Sequence, residues 1–156
     1  MALRILVAED SPVFQRSIRE LLEDSHLLSL VEASDGVEAV RVAVQTQPDV
    51  AILDYSMPGM NGIAAARRIL MECPDLPIVL LTTVAEEYLI AAAFKAGIRG
   101  YVLKRDAADD LLRAIDAVRH GATYVSPRAA RVLCERYLPE DPSRDRRILE
   151  RKGTWS

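Results

Sequence analysis

Hydrophobic positions fall along this chain in two alternating patterns. Short unbroken apolar runs of strand length recur between segments whose apolar residues return every three or four positions. The first run is Leu3 to Ala8. A helical pattern follows from about Pro12 to Asp24, with Val13, Ile18, Leu21 and Leu22 inward and with Ser11 and Pro12 as cap and first helical residue. Next come a strand near Leu27 to Ala33, a helix from Gly36 to Gln45, and a third strand, Val50 to Leu53, entered through Pro48 and Asp49. Asn61 and Gly62 open a helix to about Glu72, Pro77 to Leu81 is a fourth strand, and Glu86 to Lys95 is a fourth helix ended by Gly97. Gly100 to Leu103 reads as strand five, and Asp106 as the cap of a helix through Arg119 that stops at Gly121.

Five strands alternating with five helices predict an α/β fold, a doubly wound five-stranded parallel sheet covered on both faces. Beyond Ser126 and Pro127 a short helix from Arg128 to Leu138 is expected, with Ala129, Val132, Leu133, Tyr137 and Leu138 as an apolar stripe, before Pro139 and Pro142 break it. The stripe calls for a partner, either its own body or a second protomer. The predicted organisation is a body over residues 1–126 and a tail over 127–156.

Composition narrows the class without changing that picture. A chain of 156 residues, half hydrophobic and 28% charged, with a net charge of -3, suits one domain and excludes a large multidomain enzyme. Cys73 and Cys134 have no CxxC spacing and are too few for a disulfide framework, which points to a reducing compartment, the cytoplasm. The N-terminal apolar run is too short for a signal peptide, and no stretch reaches membrane-spanning length. Residues 1–126 carry 12 Lys/Arg against 18 Asp/Glu, whereas residues 127–156 carry 8 against 5, so an acidic body precedes a mildly basic tail.

In a parallel α/β sheet, ligands bind beyond the carboxyl ends of the strands. Those ends carry Glu9 and Asp10, Asp54, Thr82 and Thr83, and Lys104. A lone Asp at a strand end commonly caps the next helix, but Met57-Pro58-Gly59 makes a turn before Asn61, which is the better cap. Likewise Ser11 already serves the helix after Glu9 and Asp10. Three converging carboxylates repel one another, and a hard divalent cation such as Mg2+ resolves that repulsion.

Glu9-Asp10, Asp54-Tyr-Ser-Met-Pro58 with Gly62, Thr82 and Lys104, in that order, resemble the receiver domain of bacterial two-component response regulators, over residues 3 to about 121. The segment Gly97 to Asp106, with Leu111 to Ile115 and Gly121 to Pro127, is similar to the NarL/FixJ subclass. The resemblance implies a flavodoxin-like, CheY-like fold and a phosphorylation switch rather than a metabolic enzyme, catalytic only toward its own phosphorylation and dephosphorylation. It implies Asp54 as phosphoacceptor for a sensor histidine kinase, and Mg2+ held by Glu9, Asp10, Asp54 and the backbone carbonyl of Ser56. Lys104 and Thr82 would contact phosphoryl oxygens. Tyr101 would turn from an exposed to a buried rotamer, and output or dimerisation would use helix four, strand five and helix five, or the tail helix. Phe14, Gln15 and Ile18 would face the kinase. Thr83 is bulkier than usual for the family and Val84 cannot position a water, so slow hydrolysis of the aspartyl phosphate is expected.

Other readings are weaker on the residues. A flavodoxin-like cofactor carrier needs hydroxyls and glycines after strand one, where this chain has two acids. A haloacid-dehalogenase-type phosphatase wants a second Asp where this chain has Ser56. Relatives with the NarL/FixJ pattern usually continue into a DNA-binding helix-turn-helix, and two roles consistent with the resemblance are the receiver part of such a regulator and a receiver that binds partners without being phosphorylated. Residues 127–156 contain no second helix long enough for recognition, so Arg144, Arg146, Arg147, Arg151 and Lys152 read as a solvated face and direct DNA binding is not expected from them. His26 and His120 read as surface residues.

Overall fold

A parallel strand buried on both faces needs helices above and below it, and alternation of the two element types meets that need. The computed structural model describes residues 3–24 and 28–135. Its elements run β1 (Leu3–Ala8), α1 (Pro12–Glu23), β2 (Leu28–Ala33), α2 (Gly36–Thr46), β3 (Val50–Asp54), α3 (Gly62–Glu72), β4 (Ile78–Thr82), α4 (Glu87–Lys95), β5 (Gly100–Leu103), a 3-10 turn (Lys104–Asp106), α5 (Ala107–Arg119), β6 (Tyr124–Val125) and α6 (Pro127–Glu135). All strands pair in parallel, in the order β2-β1-β3-β4-β5-β6. The chain reverses its winding between β1 and β3, which opens a crevice at their carboxyl ends.

Alternate residues of the buried strands feed two cores. Leu6, Leu53, Leu80 and Tyr101 pack with Ala39, Ala66 and Ile90 from α2, α3 and α4. Ile5, Ile52, Val79 and Val102 pack with Ile18, Leu111 and Val118 from α1 and α5. The caps form as the sequence predicts at Ser11, whose hydroxyl accepts from the Phe14 amide at 3.4 Å, and at Asn61, which accepts from Ala64 at 2.9 Å.

Three expectations need correction. The sheet has six strands: β6 is only two residues long, too short to show any periodicity, yet it lies along β5 with Gly100 opposite Tyr124 and Tyr101 opposite Val125. Asp106 makes no side-chain cap; its carboxylate is buried and turns instead to Arg128 of α6, 3.3 Å away. Val13 is 77% exposed, because the inward stripe of α1 runs through Phe14, Ile18, Leu21 and Leu22, and Val13 sits one step around the helix from it. Of the two partners open to the tail helix, its own body is the one seen: the helix starts at Pro127, with Ala129 fully buried and Leu133 half-buried against the α4 side of the core. Tyr137, Leu138, the basic residues of 144–152 and His26 lie outside the described residues.

Candidate functional site

Each charged group of the site is delivered by a strand end. β1 leads into Glu9 and Asp10, β3 ends on Asp54, β4 ends on Thr82, and β5 runs into Lys104. Register fixes their relative heights: Ala8 lies opposite Leu53, Asp54 opposite Leu81, and Thr82 opposite Leu103. The loop after β3 is held from both sides by close backbone contact. A Cβ on Gly62 would stand 2.4 Å from the Asp54 carbonyl oxygen, and one on Gly36 would stand 2.3 Å from that of Met60. Glycine at these helix starts therefore lets the loop carrying Tyr55 to Asn61 fold down beside the acids.

Glu9, Asp10 and Asp54 bring one carboxylate oxygen each within 4.8 Å of one another. Glu9 is 1% exposed and Asp54 2%, whereas Asp10 is open to solvent. Lys104 lies between the buried pair, its Nζ 3.1 Å from Glu9 Oε2 and 3.1 Å from Asp54 Oδ2. Its ammonium also sits 4.7 Å from the centre of the Phe14 ring, a cation–π contact that helps hold the side chain over the site. The Ser56 amide donates to Asp54 Oδ1 at 3.3 Å and the Ser11 amide to Glu9 Oε1 at 3.1 Å. An open cavity of about 390 Å³ lined by Asp10, Tyr55, Ser56, Met57, Pro58 and Asn61 adjoins the acids.

The charges do not balance, and the titration behaviour follows. Burial pushes the Glu9 carboxyl up to about 7; the Ser11 amide and Lys104 oppose the rise and the neighbouring Asp54 charge adds to it. Burial also raises Asp54, against the pull of Lys104 and the Ser56 amide. Burial acts to lower Lys104, but Asp54 and Glu9 outweigh it and keep the ammonium charged. Glu9 Oε2 and Asp54 Oδ2 are buried and have no well-aligned hydrogen bond, only their ionic neighbour Lys104. Two buried carboxylates that share a single ammonium beside a third carboxylate are the donor set a hard divalent cation needs, so the residues present fit Mg2+.

Thr82 and Tyr101 meet elsewhere, at the backbone of Val84. The Val84 amide donates to Thr82 Oγ1 at 3.1 Å, and the Tyr101 hydroxyl donates to the Val84 carbonyl. Tyr101 is fully buried in the core layer under α4 and α6, in its inward position. Burial raises its hydroxyl pKa, so it remains a donor. Thr83 is exposed and Val84 half-buried. Of the three α1 residues expected to face a kinase, Ile18 is 1% exposed and belongs to the core, while Phe14 and Gln15 are half-buried. His120 is exposed at the end of α5 and contacts the Asp116 carbonyl. Two participants escaped the sequence reading, the Phe14 ring beneath Lys104 and the Val84 backbone. Phe14 stands one turn into α1 from the acids, a spacing that could have marked it; a backbone group leaves no sequence signal.

The family described as the response regulator receiver domain matches residues 5–116. The nitrate/nitrite response regulator protein homolog of Haemophilus influenzae is 33% identical over 141 residues, 90% of this chain and 68% of that protein. The oxygen regulatory protein NreC of Staphylococcus carnosus is 33% identical over 87% of this chain and 64% of that protein, so the chain spans about two thirds of these relatives. Among solved structures, a LuxR-family two-component response regulator from Aurantimonas sp. SI85-9A1 is 32% identical, with a TM-score of 0.83 over 88% of this chain and all of that one. The isolated receiver of RcsB from Salmonella enterica, solved with the phosphomimetic beryllofluoride, is 28% identical, with a TM-score of 0.77 over 85% of this chain and 99% of that one. With its acids, its lysine and its sheet order in place, the chain belongs to the receiver domains of two-component response regulators, among relatives of the NarL and LuxR type.

Proposed function

We propose that Asp54 accepts a phosphoryl group from a sensor histidine kinase and that its phosphorylation switches the face formed by α4, β5 and α5. The observation that carries this is a nearly buried carboxylate paired with Lys104 beside two further acids at the open end of the sheet. An Asp54 oxygen attacks the phosphorus of a phosphohistidine; the new O–P bond forms as the P–N bond breaks, and the imidazole leaves with that electron pair and takes up a proton. Receiver domains bind Mg2+, and here Glu9, Asp10, Asp54 and the Ser56 carbonyl would hold it. When bound, it supplies positive charge against the acids and the phosphoryl oxygens. Lys104 transfers its ammonium from the carboxylate to a phosphoryl oxygen. Thr82 uses its oxygen to accept from Val84, so its hydroxyl proton remains to be donated to the phosphoryl group, which draws the loop after β4 toward the site.

Residues 1–126 form the receiver in this reading, and 127–156 a tail whose first helix packs on it. The protein works in the cytoplasm; no helix among the described residues is long and apolar enough to cross a membrane. It acts as a regulator whose only chemistry is on itself. One solved structure shows two RcsB dimers bound to two parallel DNAs. Dimerisation through the α4-β5-α5 face or the tail suits the present chain as well, whereas we assign no direct DNA contact to the described residues, whose helices all pack into the two core layers of the sheet. Incubation with Mg2+ and acetyl phosphate, followed by intact-mass measurement, tests the proposal. The expected result is a gain of one phosphoryl group that is lost in Asp54→Ala and in the presence of chelator. Equal gain in Asp54→Ala would overturn it.

A further inference from the structure

The segment after α5 is bonded back to β5 and to the start of α5. The Ser126 amide donates to the Tyr101 carbonyl at 2.9 Å, and the fully buried Ser126 hydroxyl accepts from the Leu103 amide at 3.2 Å, one residue before Lys104. Tyr101 of β5 and Leu103, the residue before Lys104, are thus joined to the tail through one short stretch of backbone. The Tyr124 hydroxyl donates to Asp110, and Arg128 pairs with Asp106 in the turn that follows Lys104. Past these ties α6 lies along β5 and α4, and Ala129 is fully buried in the same apolar cluster as Tyr101.

That placement gives α6 a steric consequence. In its buried position Tyr101 reaches the Val84 carbonyl, and Ala129 and Leu133 of α6 pack into the same apolar cluster beside it. We propose that α6 is a clamp: docked, it holds Tyr101 inward and the loop after β4 drawn toward Asp54, so docking and phosphorylation stabilise each other. The inference rests on Asp54 being the phosphoacceptor. Linkage makes the effect reciprocal: whatever factor phosphorylation adds to docking, docking adds to affinity for the phosphoryl group or its mimic.

The full chain carrying Ala129→Cys and Cys134→Ser tests this. The new thiol reacts only when α6 lifts, while buried Cys73, in the turn between α3 and β4, reports general opening of the fold. With Mg2+ and beryllofluoride the modification rate at position 129 should fall by about fivefold or more, within the usual range of coupling between sites, with Cys73 much less affected. Adding Asp54→Asn should abolish the change. In a second variant, Ala129→Glu, affinity for beryllofluoride should drop by the same factor, read from the 19F signal of the bound anion. An unchanged or faster rate at 129 while that signal shows beryllofluoride bound would overturn the clamp and leave the receiver reading standing. Absence of any bound beryllofluoride would remove the receiver reading and the clamp with it.

Discussion

At 1% exposure, with its carboxyl pushed up to about 7, Glu9 is protonated in part at neutral pH, and ionising it works against folding. Because its folded pKa lies above the ordinary 4.5, the folded chain binds more protons than the unfolded one between those values. Stability from this group is full below pH 4.5 and is lost as pH rises toward 7, an effect of up to about 3 kcal/mol. Glu9→Gln keeps the acceptor for the Ser11 amide and removes the charge. Without metal at pH 8 it should raise Tm by several degrees, with the advantage gone at pH 4.5; a lower Tm for the variant at pH 8 would contradict the account. Mg2+ should raise the Tm of the parent more than that of the variant. Lys104→Met leaves Asp54 buried without a cation and removes a donor from the transition state. It should slow phosphoryl uptake from acetyl phosphate by about tenfold to a hundredfold, measured as the rate of mass gain.

At the scale of elements, the strands and helices of the body were legible because burial on both faces writes continuous apolar runs and 3.6-residue periods into the sequence. The acids and Lys104 were legible for a related reason, since a charged residue at the end of an apolar run needs an explanation. β6 was not legible, being two residues held by pairing with β5 rather than by any pattern of its own. Asp106 was misread because a helix start and a tertiary salt bridge use the same residue type, and Arg128 wins it only once α6 has folded back. Two glycines separate conformation from close approach. Gly62 abuts the Asp54 backbone, so Gly62→Ala should cost roughly 1 to 3 kcal/mol and impair phosphorylation together, since the end of β3 must shift. Gly59 has φ +76° and open space around it, so Gly59→Ala should cost only about 1 kcal/mol of backbone strain and leave phosphorylation near the parent rate. Thermal melts and mass-gain rates on the two variants check the contrast.

For the whole molecule, the switch lies where the two cores meet the sheet's open end. In the proposed mechanism Lys104 and Asp54 act there, and the Val84 backbone, bonded to both Thr82 and Tyr101, would carry their state to the α4 side. Thr83, which follows the last residue of β4, is exposed, and the Val84 side chain has no polar group to orient a water, so the aspartyl phosphate should persist for many minutes in purified protein. Decay within seconds would refute that expectation. The central claim is the identity of the phosphoacceptor, and the most direct measurement is borohydride reduction of the phosphorylated chain followed by peptide mass mapping. Reduction turns an aspartyl phosphate into homoserine. The account predicts homoserine at position 54 alone; homoserine at Asp10 or another acid, or a phosphoryl group that resists reduction, would contradict it.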